Sequence, residues 1–98
     1  MYVIRDVFRC KPGKSRQVAD MFKKTLSSMK GVDGFENQKV MLDFAADYWT
    51  VVLESEVESL AKFEGHMATF SSRPEIREAM AGYMDLVLEG HREVYKLV

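Results

Sequence analysis

The stretch DYWTVVLESEVESLAKFEGHMATF, residues 47–70, changes its apolar period partway along. Over 47–55, Trp49, Val51 and Leu53 alternate with Tyr48 and Val52, the two-residue period of a strand. From 58 to 70, Leu60, Phe63, Met67 and Phe70 recur every three or four residues, the stripe of an amphipathic helix. Working upstream, 35–44 reads as another strand, joined to 47–55 by a short AAD turn with Asp47 as the expected side-chain acceptor. Residues 2–10 are rich in Tyr, Val, Ile and Phe and stop at KPG, a strand followed by a breaker. Over 15–30, Val18, Met21, Phe22, Leu26 and Met29 give a second helical stripe, which Gly31 is suited to end. Downstream, SSRPE interrupts the helical pattern. Ser72 is the expected cap of a further helix, with Pro74 in its first turn and Glu75 near the positive end of its dipole. That helix is expected to run to about residue 89 and to face Ile76, Met80, Tyr83, Met84, Val87 and Leu88 inward. Gly90 is expected to stop it and HREVYKLV to form the last strand. The order β-α-β-β-α-β, with its second helix split in two, predicts a ferredoxin-like α+β fold. One domain over 1–98 would carry a four-stranded antiparallel sheet with helices on one face.

Splitting each strand by alternation leaves apolar residues on both faces. Tyr2, Ile4 and Phe8 oppose Val3 and Val7; Tyr95 and Leu97 oppose Val94 and Val98. Arg5, Asp6, Lys39 and Arg92 interrupt the pattern without making either face polar. The helices of one chain cover only one face. Five or six medium-sized side chains on the other, at about 2 kcal/mol each, represent on the order of 10 kcal/mol of burial. A second copy is the economical cover, so a homodimer through the open sheet face, closing a dimeric α+β barrel, is expected.

Composition narrows the function classes. The 98 residues carry a formal net charge of -1, with cations scattered along the chain. No electrostatic footprint for nucleic acid results. KPGKSR, at 11–16, reads as a solvated helix entrance and lacks the second glycine of a phosphate-cradling loop. Cys10 is the only cysteine, which suits a reducing compartment. The first ten residues lack the apolar core of a signal peptide, and no run approaches the roughly 18 apolar residues of a membrane span. A cytoplasmic protein without a membrane contact is expected. Two histidines far apart and a lone cysteine give no metal-ligand spacing, so no metal and no cofactor are expected.

The order of elements, KPGK at the first helix, VVLESEVESLAKFEGH running from strand into helix and the terminal EGHREVYKLV resemble the NIPSNAP-like branch of the dimeric α+β barrel superfamily. This branch is related to the antibiotic biosynthesis monooxygenase-like proteins. The resemblance covers nearly the whole chain and rests on structural punctuation rather than catalytic signatures. It implies a ligand, where there is one, between the sheet and the helices of each subunit. Cofactor-independent monooxygenation is the activity it most directly suggests. Non-catalytic binding or interaction, and haem binding, are the alternatives.

His66 and Asp6 are the candidate catalytic residues. His66 lies about 70° from the centre of its helix stripe, at 100° per residue, a border position beside a cleft or at the edge of a core. A neutral imidazole there can take a proton from a phenol or supply an axial bond to haem iron. Equally, it can be a packed side chain bonded to a carbonyl. The haem-degrading relatives combine an Asn, a Trp and a His, and Asp6 and Trp49 do not fit that pattern. Asp6 sits mid-strand, where it is either a base with a pKa raised by burial or half of an ion pair. Trp49, Phe63, Met67 and Tyr83 are the candidate substrate-binding residues, able to confine an aromatic ring, although each also reads as ordinary core. His91, Glu93 and Tyr95 share one face of the last strand, and Arg92 and Lys96 the other. The first set is a base-orienting column or a set of interface contacts.

Overall fold

The computed structural model describes residues 1–28, 35–70 and 72–98. In chain order the elements are β1 (Tyr2–Cys10), α1 (Ser15–Ser28), β2 (Glu36–Leu42), β3 (Thr50–Val57), α2 (Leu60–Phe70), α3 (Pro74–Ala79) and β4 (Val87–Lys96). A 3-10 turn at Tyr83–Asp85 precedes β4. The four strands form one antiparallel sheet in the order β2-β3-β1-β4, the ferredoxin-like arrangement. The expected order of elements and the split second helix are both present.

Antiparallel register puts directly opposed residues on the same face. Ile4 faces Ser55 and Val94; Asp6 faces Leu53 and Arg92; Phe8 faces Val51 and Gly90. These even-numbered positions of β1 turn toward the helices. Val18, Ala19 and Phe22 of α1 meet Cys10 and Val51 of the sheet there, all nearly fully buried. Val18 and Phe22 therefore lead the α1 stripe, while Met21 and Leu26 are only half-buried. Met29 and Gly31 lie outside the described residues. On α3, Ile76 is the buried anchor. By contrast, α2 has no buried residue, so it stands over the sheet rather than packing flush against it.

The outer face is less apolar than the sequence suggests. Val3, Val7, Val52 and Met41 are there, but so is a row of charges across its middle. Arg5 Nε lies 3.6 Å from Glu54 and 4.0 Å from Glu93, and Lys39 Nζ lies 3.2 Å from Glu54.

Three local expectations are corrected. First, the helix expected to reach residue 89 ends at Ala79. Gly82 takes φ 84, a left-handed conformation suited to glycine, and the chain enters β4 at Val87. Pairing with β1 from Cys10↔Val87 onward overrides the helical period, leaving Met84 and Leu88 exposed. Gly90 is consequently a mid-strand residue, not a stop. Second, the expected strand over 47–55 begins only at Thr50, because Trp49 adopts φ 62 and cannot continue a ladder. Asp43, not Asp47, supplies the turn's carboxylate: its Oδ1 accepts from Thr50 N at 2.9 Å. The Asp47 backbone carbonyl accepts from the Thr50 hydroxyl. Third, Ser72 does not cap α3. The cap position is Arg73, without a side-chain bond, and the Ser72 hydroxyl instead donates to the Thr69 carbonyl at 2.7 Å.

Candidate functional site

Because α2 stands off the sheet, a cavity of about 510 Å³ separates them. That volume suits a small organic molecule. The floor is Ile4, Asp6 and Phe8 of β1 with Leu53 and Ser55 of β3 and Arg92 of β4. The roof is Phe63, Met67 and Phe70 of α2, and Phe22 and Leu26 of α1 close one side. Ile76, Arg77, Met80 and Tyr83 complete the wall, and Phe35 and Gln38 also line it. Phe8 packs on Phe22 with ring centroids 4.8 Å apart, and Tyr83 meets Phe8 edge-on at 6.4 Å. Most of the wall is therefore aromatic or aliphatic carbon.

A polar cluster interrupts it. Arg92 donates to Asp6 through Nε at 2.6 Å and through a terminal nitrogen at 3.4 Å. Two-point contact of this kind fixes the carboxylate in orientation as well as in charge. The same guanidinium lies 5.0 Å from the centre of the Phe63 ring, a cation–π contact of about 0.5–2 kcal/mol. Asp6, Arg92 and Phe63 thus form one unit spanning floor and roof. The register that makes it, Asp6↔Arg92, comes from β1–β4 pairing across nearly the whole chain length.

Of the residues singled out from sequence, Asp6, Phe63, Met67 and Tyr83 come together on this wall. His66 and Trp49 are not among the described wall residues. The His66 ring packs 5.1 Å from Phe35, itself a wall residue that meets Phe63 at 6.2 Å. Trp49 sits in the β2–β3 turn, 41% exposed, and its carbonyl accepts from Cys10 N at 2.8 Å. Arg92 and Arg77 were not singled out as site residues. Alternation does place Arg92 opposite to His91, Glu93 and Tyr95. Only knowledge of the pairing register would have set it beside Asp6.

The column on the other face of β4 is assembled. Glu93 holds His91 Nε2 at 3.0 Å and accepts from the Tyr95 hydroxyl at 3.0 Å. The hydrogen bond with His91, followed by that from Tyr95, draws the Glu93 carboxyl below its ordinary pKa. The bond to Glu93 raises the Tyr95 phenol. These three residues lie on the outer face, away from the cavity. Among the described residues, no group of three or more His, Cys, Asp or Glu is placed to hold a metal ion. No helix among them is long and apolar enough to cross a membrane.

No protein-family model matches the sequence, and no curated protein does. Solved structures do match in shape. An uncharacterised NIPSNAP-like domain protein from Burkholderia xenovorans superimposes with TM-score 0.82 at 16% identity, over 99% of this chain and 84% of that one. A candidate antibiotic biosynthesis monooxygenase from Chloroflexus aurantiacus J-10-fl gives TM-score 0.69 at 20% identity, over 99% and 94%. A similarly described protein from Deinococcus radiodurans gives 0.75 at 12%, over 100% and 93%. At such identities the likeness is one of backbone. The chain has the ferredoxin-like fold that NIPSNAP-like domain proteins share with the proteins described as antibiotic biosynthesis monooxygenases.

Proposed function

We propose that this protein binds a small apolar or aromatic molecule in the cavity between the sheet and α2. The observation that carries the reading is the cavity itself: about 510 Å³ of space with a carbon-rich wall and one fixed polar unit, Asp6–Arg92. The apolar wall would be shielded from water by a bound apolar molecule, which is the driving force for binding there. The polar unit would orient a ligand, and Phe63, Met67 and Tyr83 would confine its ring. In the catalytic form of this reading, Asp6 accepts a proton from a bound phenol or quinol and dioxygen is the oxidant. His66, whose ring packs 5.1 Å from that of Phe35, is the other candidate base. Thermal-shift titration against a panel of phenols, quinols and aliphatic analogues tests binding, and oxygen uptake on the same panel tests catalysis. Stabilisation by aromatic members is expected. If no member raises the unfolding temperature, the binding reading fails. Oxygen uptake that survives unchanged in both Asp6→Asn and His66→Ala would remove those two residues from catalysis.

A second reading concerns the outer face, where Val3, Val7, Val52 and Met41 flank the row of charges. Arg5 Nε is buried yet has no hydrogen-bond partner among the described residues, although Glu54 and Glu93 stand near it. Its charge is answered within the chain, so the row as a whole is neutralised and the valines beside it are free to meet an apolar surface. A second copy pairing through the outer face would supply one and would cover Val3, Val7 and Val52. This association is compatible with ligand binding or can stand alone as the protein's role.

A further inference from the structure

We propose that the cavity ligand is an anion: an apolar or aromatic body carrying one carboxylate or similar acidic group, held by Arg77. The inference rests on the cavity reading above and adds the charge of what is bound. Three ionic side chains line the described wall, Asp6, Arg92 and Arg77. The first two answer each other, with Arg92 further engaged by the Phe63 ring. Arg77 has no hydrogen bond or ion pair through its side chain among the described residues. Glu75, two residues before it on α3, is taken by Arg73 at 2.7 Å. Its neighbour Glu78 is exposed and has no side-chain hydrogen bond or ion pair among the described residues.

The wall therefore carries one unanswered positive charge beside a largely apolar space. Arg77 is both exposed and part of the wall, which places it where the cavity meets solvent. Ile76, 2% exposed, anchors the adjacent backbone of α3. A neutral ligand would leave Arg77 to solvent, and a cationic one would be repelled. An amphipathic anion places its body among the aromatic rings and its acid at the mouth, where the guanidinium fork matches it.

The test uses two fluorescent probes with the same rings, anilinonaphthalene sulfonate and its uncharged parent phenylnaphthylamine. Both are titrated into the wild-type chain and into Arg77→Gln and Arg77→Glu. Because residue 77 is exposed, these variants should fold, and far-UV circular dichroism checks it. The expected result is that Arg77→Gln weakens the sulfonate by about threefold to fivefold, the range of a partly exposed ion pair. Arg77→Glu should weaken it further, and the parent probe should bind all three proteins alike. Added salt should weaken the sulfonate in the wild type only. Parent and sulfonate binding that are both indifferent to residue 77 would overturn the charge assignment while leaving the cavity reading intact. Failure of both probes to bind all three proteins would overturn both.

Discussion

Asp6 carries most of the site's logic in a single side chain. A carboxylate on the helix side of a sheet needs a partner, and antiparallel register puts Arg92 directly across from it. Asp6→Asn removes the charge but keeps the shape. Because Arg92 is substantially exposed, a modest loss of about 1 kcal/mol is expected in urea unfolding. A change near zero would mean that the pair orients a ligand without supporting the fold. On the opposite face, Glu93 makes a prediction about pH. Its folded-state pKa is lowered, chiefly by His91 and then by Tyr95. The stability it contributes is thus present above the ordinary glutamate pKa and disappears as pH falls through the lower folded value. Thermal midpoints of the wild type should therefore drop more steeply below about pH 4 than those of Glu93→Gln. Parallel pH profiles would remove the role assigned to this network.

Gly90 shows how one element constrains another. A Cβ at this position would lie 2.9 Å from Phe8 Cδ1 and 3.2 Å from Phe8 Cε1, because the Phe8 ring lies across its cross-strand partner. An aromatic ring covering a strand glycine is a known stabilising device in sheets. Phe8 cannot simply swing away, since it packs on Phe22 and forms part of the cavity floor. Gly90→Ala is expected to cost about 1–3 kcal/mol by overpacking, read from urea midpoints. It should also weaken any cavity ligand. At this scale α2 matters as well. Its stripe has the right spacing for a helix but buries no residue fully, so the same apolar residues that look like core in the sequence become a roof.

The sheet as a whole presents two different surfaces. Its helix side holds the core and the cavity; its outer side mixes valines with the Arg5–Glu54–Lys39–Glu93 row. If a second copy covers that outer side, a charge placed in its centre should break the assembly and leave each chain folded. Val52 lies between Val7 and Met41 in the ladder and is half-buried in the single chain. Sedimentation of the wild type should give a dimer at micromolar concentration, and Val52→Arg a monomer with unchanged circular dichroism. A monomeric wild type would remove the reading of this face as an interface.

The architecture was legible in the sequence because it rests on local periodicity. Alternation in 2–10 and 47–55, the stripes led by Val18 and Phe22 and by Phe63 and Met67, and the breakers at KPG and SSRPE each act within a few residues. They gave the order of elements and the two faces of each strand. What they did not give depends on contacts between distant segments. The early end of α3 follows from β4 pairing with β1, a gain in ladder bonds that outweighs a short helical period. Asp6 meets Arg92 for the same reason, and Phe35, far back in the chain, packs against both Phe63 and His66. Residue order alone thus determined the sequence of elements and, for β1 to β3 and for α1, which way most side chains face. The pairing register and the height of α2 above the sheet, both settled only by packing in three dimensions, decided that a cavity exists and which charges stand in it.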